Sequence, residues 1–100
     1  MYERKVLMGF IRVHILHHAT VDEGIYGLEM IKELESHGYK ISPGTLYPIL
    51  HDMEKNNLLD VTKKNVEGKI RKIYNSTKKG KKTLENLKKF ILELSGEVID

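Results

Sequence analysis

From residue 3 to residue 18, Val6, Leu7, Met8, Phe10, Ile11, Val13, Ile15 and Leu16 spread around most of a helical circumference. A helix that is apolar on several faces is buried on several faces. In a chain of 100 residues this places one face in the core and another against a second subunit. Ala19–Ile25, with Thr20, Asp22 and Gly24, reads as a connection. Tyr26–Ser36 predicts a second helix with Met30, Ile31 and Leu34 at helical spacing, ended by His37 and Gly38.

The third helix has the clearest start. Ser42 suits the N-cap, where its hydroxyl accepts from free backbone N–H groups, and Pro43 follows at the first helical position. Leu46, Ile49, Leu50 and Met53 form one stripe at i, i+3, i+4 and i+7, and the helix fades at Asn56-Asn57. Pro48 lies inside it and crowds the carbonyl of Gly44, which predicts a slight kink.

The period then changes from helix to strand. Leu58–Lys64 and Lys69–Asn75 read as two strands joined by a short loop, Asn65-Val66-Glu67-Gly68. Thr77 caps a last helix running to about residue 95, on which Leu84, Leu87, Ile91, Leu94 and Val98 make a heptad seam that Gly96 weakens. The resulting class is mostly α with a small β-hairpin wing: a winged helix-turn-helix over 1–76 and a C-terminal dimerisation helix over 77–100, in one compact domain.

Composition narrows the function classes. With no cysteine, disulfide frameworks, thiolate metal sites and cysteine catalysis are excluded. Neither a membrane span nor a signal peptide is legible, so the expectation is a soluble cytoplasmic protein with no membrane partner. The charge is unevenly placed: residues 1–61 carry a net −3, residues 62–100 a net +6, and 62–82 hold nine cations against one acid. Such a block points to a polyanion partner or to a solvated lysine-rich surface.

The apolar stripe of the third helix leaves Gly44, Tyr47, Pro48, His51 and Lys55 on its open face. Ser42, Thr45 and Tyr47 suit phosphate contact; Pro48 and Thr45 suit a thymine methyl, and His51 a base edge. Lys63, Lys64, Lys69, Arg71 and Lys72 on the wing suit phosphate or minor-groove contact, or protect an edge strand from aggregation. Lys78, Lys79, Lys81 and Lys82 sit at the unfavourable end of the helix dipole, which a nearby anion or a solvated face would accommodate. His14 and His18 are spaced i, i+4 like a metal pair, but no carboxylate on that helix is near them; they read as surface or interface histidines. No phosphate-binding glycine loop or nucleophile elbow occurs, so the chain does not read as an enzyme, and no cofactor is implied.

These same residues carry a family pattern. Tyr26-Gly27, the run His37-Gly38-Tyr39-Lys40-Ile41-Ser42-Pro43-Gly44-Thr45-Leu46-Tyr47-Pro48-Ile49-Leu50, Glu54-Lys55-Asn56-Asn57-Leu58-Leu59, the wing Gly68–Tyr74 and Thr77-Lys78-Lys79-Gly80 resemble the PadR-type winged-helix core over about residues 5–85. The resemblance implies a short-form transcription regulator, usually a repressor, acting on double-stranded operator DNA as a homodimer. It implies DNA contact by Tyr47, Pro48, Arg71 and Lys72, with Tyr26 on a phosphate and Lys40, Pro43 and Gly44 in the recognition turn. It also implies dimerisation through Val6 and Phe10 of the first helix and through the last-helix seam. Some short members stack flat aromatic drugs on an interface tryptophan; this chain has none, and the sequence names no small-molecule effector. Two other readings stand beside it: an adaptor module that does not touch DNA, and a metal-responsive regulator using His14 and His18.

Overall fold

The computed structural model describes residues 1–22 and 24–99. In chain order these form α1 (Tyr2–Val21), β1 (Ile25–Tyr26), α2 (Gly27–Ser36), α3 (Pro43–Lys55), β2 (Leu59–Val66), β3 (Lys69–Ser76) and α4 (Lys78–Val98). The stripe Leu46, Ile49, Leu50 and Met53 of α3 packs with Ile11, Ile15, Leu16 and Ala19 of α1 and Met30 and Leu34 of α2. Ile25, Leu59, Tyr74 and Leu84 complete the same buried cluster.

The strands make one antiparallel sheet in the order β1-β3-β2. Its inner end, with Leu59 opposite Ser76 and Val61 opposite Tyr74, lies on the core, and its outer end projects as the wing. β1 is absent from the sequence reading because two residues carry no period. Tertiary pairing makes the strand: Ile25 is buried opposite Tyr74, and Tyr26 lies opposite Ile73. Tyr26 is therefore the N-cap of α2 rather than its first helical residue, and its backbone N–H donates to the Glu29 carboxylate at 2.9 Å.

Other boundaries differ from expectation for local reasons. α1 continues to Val21, because Ala19 is buried and the Thr20 hydroxyl donates to the Leu16 carbonyl at 2.7 Å. The expected four-residue hairpin loop is a two-residue turn. The ladder runs to Val66 opposite Lys69, and Glu67 and Gly68 turn with φ of 53° and 81°. Two positive φ values are the signature of the turn whose twist matches paired strands. The Asn65 side chain supports it by accepting from the Gly68 N–H at 3.1 Å. α3 passes through Pro48 without interruption, and α4 passes Gly96 to end at Val98.

Where α3 ends, the chain is latched to α4. Asn57, at φ 63°, takes the left-handed position past the cap, and the Leu58 N–H donates back to the Met53 carbonyl at 2.9 Å. The Thr77 hydroxyl donates to the Asn57 carbonyl at 2.6 Å and accepts from the Gly80 N–H at 2.9 Å. Lys79 donates to the Asn56 carbonyl at 3.1 Å. That hydrogen bond resolves part of the dipole conflict at the start of α4: one of its lysines rests on the negative end of α3. Gly80 is buried against this latch, and a Cβ there would meet the Leu58 carbonyl and lie 2.7 Å from the Ser76 hydroxyl.

Candidate nucleic-acid interface

α3 presents the face that its stripe leaves open. Ser42, Pro43, Gly44, Tyr47, Pro48, His51 and Lys55 are exposed, Thr45 is half-buried, and Lys40 is exposed in the turn before the helix. Pro43 occupies the start of the helix as expected. The Ser42 hydroxyl does not cap a backbone N–H; it shares a hydrogen bond with the Thr45 hydroxyl at 3.3 Å. The backbone donors of the first turn thus keep no side-chain cap from Ser42, and two hydroxyls sit together beside them.

Tyr47 reaches from α3 to the start of α2. Its ring lies over Gly27, where a Cβ would stand 2.8 Å from Cζ, so only glycine admits the ring there. Behind it, Tyr74 is buried, and its phenol is held above the usual tyrosine range by burial, then by Tyr47 and Glu54.

An open groove of about 490 Å³ joins this surface to the wing. It is lined by Tyr26, Gly27, Leu28, Tyr47, Lys69, Ile70, Arg71 and Lys72. The Arg71 guanidinium lies 6.0 Å from the centre of the Tyr26 ring, within cation–π range. Lys63 stands directly opposite Lys72, and Lys64 directly opposite Arg71. Like charges facing across a ladder repel. Among the described residues, none of these wing cations has an ion-pair partner. The groove is therefore a cationic channel with aromatic rings on one wall.

Folding brings Tyr26, Tyr47, Lys69, Arg71 and Lys72 of the sequence-predicted residues together here. Lys63 and Lys64 stand on the neighbouring strand, opposite Lys72 and Arg71. Sequence reasoning missed Leu28 and Ile70, which line the same groove at 51% and 72% exposure. Ile70 shares the alternation of the buried Tyr74, but lies beyond the edge of the core, where the same face meets solvent.

The expected subunit-facing residues divide into two groups. Leu84 is only 4% exposed and belongs to the protomer's own core, which corrects its assignment to a free seam; Leu87 is half-buried against that core. The seam begins as a core contact because α4 first packs down on the latch. Val6, Phe10, Ile91, Leu94 and Val98 are exposed. Phe10, Ile91, Leu94 and Val98 line an apolar groove of about 520 Å³ between α1 and α4.

His14 and His17 line that same apolar groove, while His18 lies below the surface. His18 is buried, and one ring nitrogen each of His14, His18 and His37 gather within 4.8 Å of one another. Carboxylates are close as well: Asp22, the cap of α1, lies 3.4 Å from His18 Nδ1. Among the described residues, no helix is long and apolar enough to cross a membrane.

Comparison with known proteins agrees with this arrangement. The family model of the Transcriptional regulator PadR-like family matches residues 15–86. Transcriptional regulator Rv3488 of Mycobacterium tuberculosis (strain ATCC 25618 / H37Rv) is 42% identical over 89 residues, covering 89% of this chain and 82% of that protein. The crystal structure of a PadR-like transcriptional regulator (BC4206) from Bacillus cereus strain ATCC 14579 matches with a TM-score of 0.84 at 34% identity, covering 94% of this chain and 92% of that one. A PadR family transcriptional regulator from Eggerthella lenta DSM 2243 matches with a TM-score of 0.84 at 28% identity, over 97% and 85% of the two chains. On the family match and this relative, the chain belongs to the PadR-like family of transcriptional regulators, winged-helix proteins that are not enzymes.

Proposed function

We propose that the protein is a homodimeric, sequence-specific DNA-binding repressor, working in the cytoplasm on operator DNA. Residues 1–76 read the duplex, and the arm 77–100 joins the protomers. α3 enters the major groove by its N-terminal half, with Thr45, Pro48 and His51 towards base edges and Lys40, Ser42, Pro43 and Gly44 along the backbone. Tyr26 and Tyr47 hold phosphates at the wall of the groove, and Lys63, Lys64, Lys69, Arg71 and Lys72 follow the phosphate chain at the wing.

The observation that carries this reading is the convergence of Tyr47 with Arg71 and Lys72 on one open groove. A wing whose cations face each other without carboxylate partners gains most from a polyanion laid along it. The exposed apolar groove between α1 and α4 supports the dimer. Phe10, Ile91 and Leu94 are close to half exposed in the single protomer, and a second α4 would cover them together with Val6 and Val98.

The test is binding to promoter duplex over a range of salt concentrations, comparing the wild type with a Lys69→Ala, Arg71→Ala, Lys72→Ala variant. The expected result is preference for a specific duplex over random competitor, with the variant's salt slope reduced by up to ~0.9 for each phosphate that is no longer neutralised. Equal affinity for all duplexes, or an unchanged slope, contradicts the reading.

A further inference from the structure

The end of α1 and the end of α2 meet at a cluster that the DNA-binding surface does not use. α1 contributes His14 and His18, one helical turn apart, and α2 contributes Glu33 and its cap residue His37, again one turn apart. The position of His37 is fixed by the helix ending. Gly38 takes φ 93°, its N–H donates to the Glu35 carbonyl at 3.0 Å, and the Tyr39 N–H donates to the Leu34 carbonyl at 2.9 Å. This paired ending turns the chain back and leaves the His37 ring over α1. The His14 and His37 rings stack at 4.8 Å between centroids, and those of His18 and His37 at 5.9 Å. Tyr39 closes one side, edge-on to His14 at 5.1 Å.

His18 shows what the cluster lacks. Its side chain is 10% exposed, and Nε2 is buried with no hydrogen-bond partner among the described residues. The Glu33 carboxylate oxygen is 3.8 Å from that nitrogen and 3.9 Å from His37 Nε2, too far to be a hydrogen bond to either. Asp22 lies 3.4 Å from the other nitrogen of His18, Nδ1. A carboxylate beside Nδ1 favours a proton on that nitrogen and would leave the Nε2 lone pair to face inward, as where histidine ligands are held from behind in metal sites. His14 is kept below the usual histidine range by burial, then by the neighbouring His37, His18 and His17.

We propose that His14, His18 and His37, with Glu33 as a fourth ligand, form a binding site for a divalent transition-metal ion of the zinc class, with Asp22 positioning His18. Three imidazoles and one carboxylate suit such an ion, whereas magnesium and calcium take oxygen ligands. Nitrogens around a tetrahedral ion at 2.0–2.1 Å stand roughly 3.3 Å apart. The three imidazole nitrogens here lie within 4.8 Å, so binding draws the cluster inward, and His37 and Glu33, 45% and 44% exposed, have room to move.

The test titrates the full chain with Co²⁺ alone, followed by its visible absorption, then displaces it with Zn²⁺. The expected result is saturation at one ion per chain with the intense bands of tetrahedral cobalt. The affinity should fall ~100-fold or more in His37→Ala and His14→Ala, and ~10–100-fold in Asp22→Asn. His17→Ala, which alters a neighbouring exposed ring outside the cluster, should bind as the wild type. Circular dichroism checks that each variant is folded; His37 is an exposed cap residue, and its variant is the decisive one. No saturable binding below ~100 µM, binding unchanged in His37→Ala, or an equal loss in His17→Ala would overturn the proposal. DNA binding is measured separately, so either result stands independently of the operator reading.

Discussion

Lys63 on β2 stands directly opposite Lys72 on β3, and the next pair along the ladder is Lys64 with Arg71. One cationic pair on each face of the ribbon weakens the isolated hairpin. Replacing Lys63 by Thr should therefore stabilise the free protein by ~0.2–1 kcal/mol, because it removes repulsion and supplies a β-former. The same change should weaken DNA binding. Denaturant midpoints and duplex titrations on one variant check the two opposite signs; a loss of both stability and affinity would show that the lysine serves the fold instead.

Gly27 and Gly80 are both too crowded for a Cβ, but they should respond differently. At Gly80 the obstacle is the Leu58 backbone carbonyl, which cannot move without breaking the latch between α3 and α4. Gly80→Ala should cost about 1–3 kcal/mol or more. At Gly27 the obstacle is the end of the Tyr47 ring, on a residue that is 38% exposed and free to swing outward. Gly27→Ala should lose less stability and more DNA affinity. Thermal melts alongside duplex titrations separate the two.

Thr77 both caps α4 and donates to α3. Thr77→Val keeps the shape and removes both bonds, so about 1–2 kcal/mol of stability should be lost. Thr77→Ser should retain most of it. Urea midpoints for the pair are the check.

Tyr74 ionises above the ordinary tyrosine value, mainly because it is buried. Below that value folded and unfolded chains hold the same proton, and the group has no effect. Above about pH 10 the unfolded chain releases its proton while the folded chain retains it, so stability falls as pH rises. Tyr74→Phe should remove that part of the alkaline slope. Urea midpoints of wild type and variant between pH 8 and 11 test it; parallel curves would contradict it.

The exposed part of the last helix predicts an oligomeric state. Ile91→Asp with Leu94→Asp should leave the protomer folded, since both side chains are exposed in it, and should shift the mass in light scattering from two chains to one. A variant that remains a dimer would place the interface elsewhere.

The sequence was most legible where one element declares itself. Ser42-Pro43 and the following stripe mark α3, and residues 62–82 declare their charge. Interactions that depend on assembly were not legible. Ile25 and Tyr26 are a strand only because β3 lies beside them. Leu84 fits a heptad seam by spacing, yet the descent of α4 onto the core buries it within its own protomer. His37 lies 19 residues beyond His18, and nothing local reveals that the ending of α2 folds it back onto α1. The Ser42 hydroxyl had an equally good partner in Thr45, which spacing does not exclude.

The most direct measurement of the central claim is selection of bound sites from a random duplex pool with the full chain. The expected outcome is enrichment of a near-palindromic site whose half-sites lie about one helical turn, ~34 Å, apart, as a two-fold dimer with one α3 in each major groove requires. Enrichment of sites without two-fold symmetry, or no enrichment at all, would contradict it.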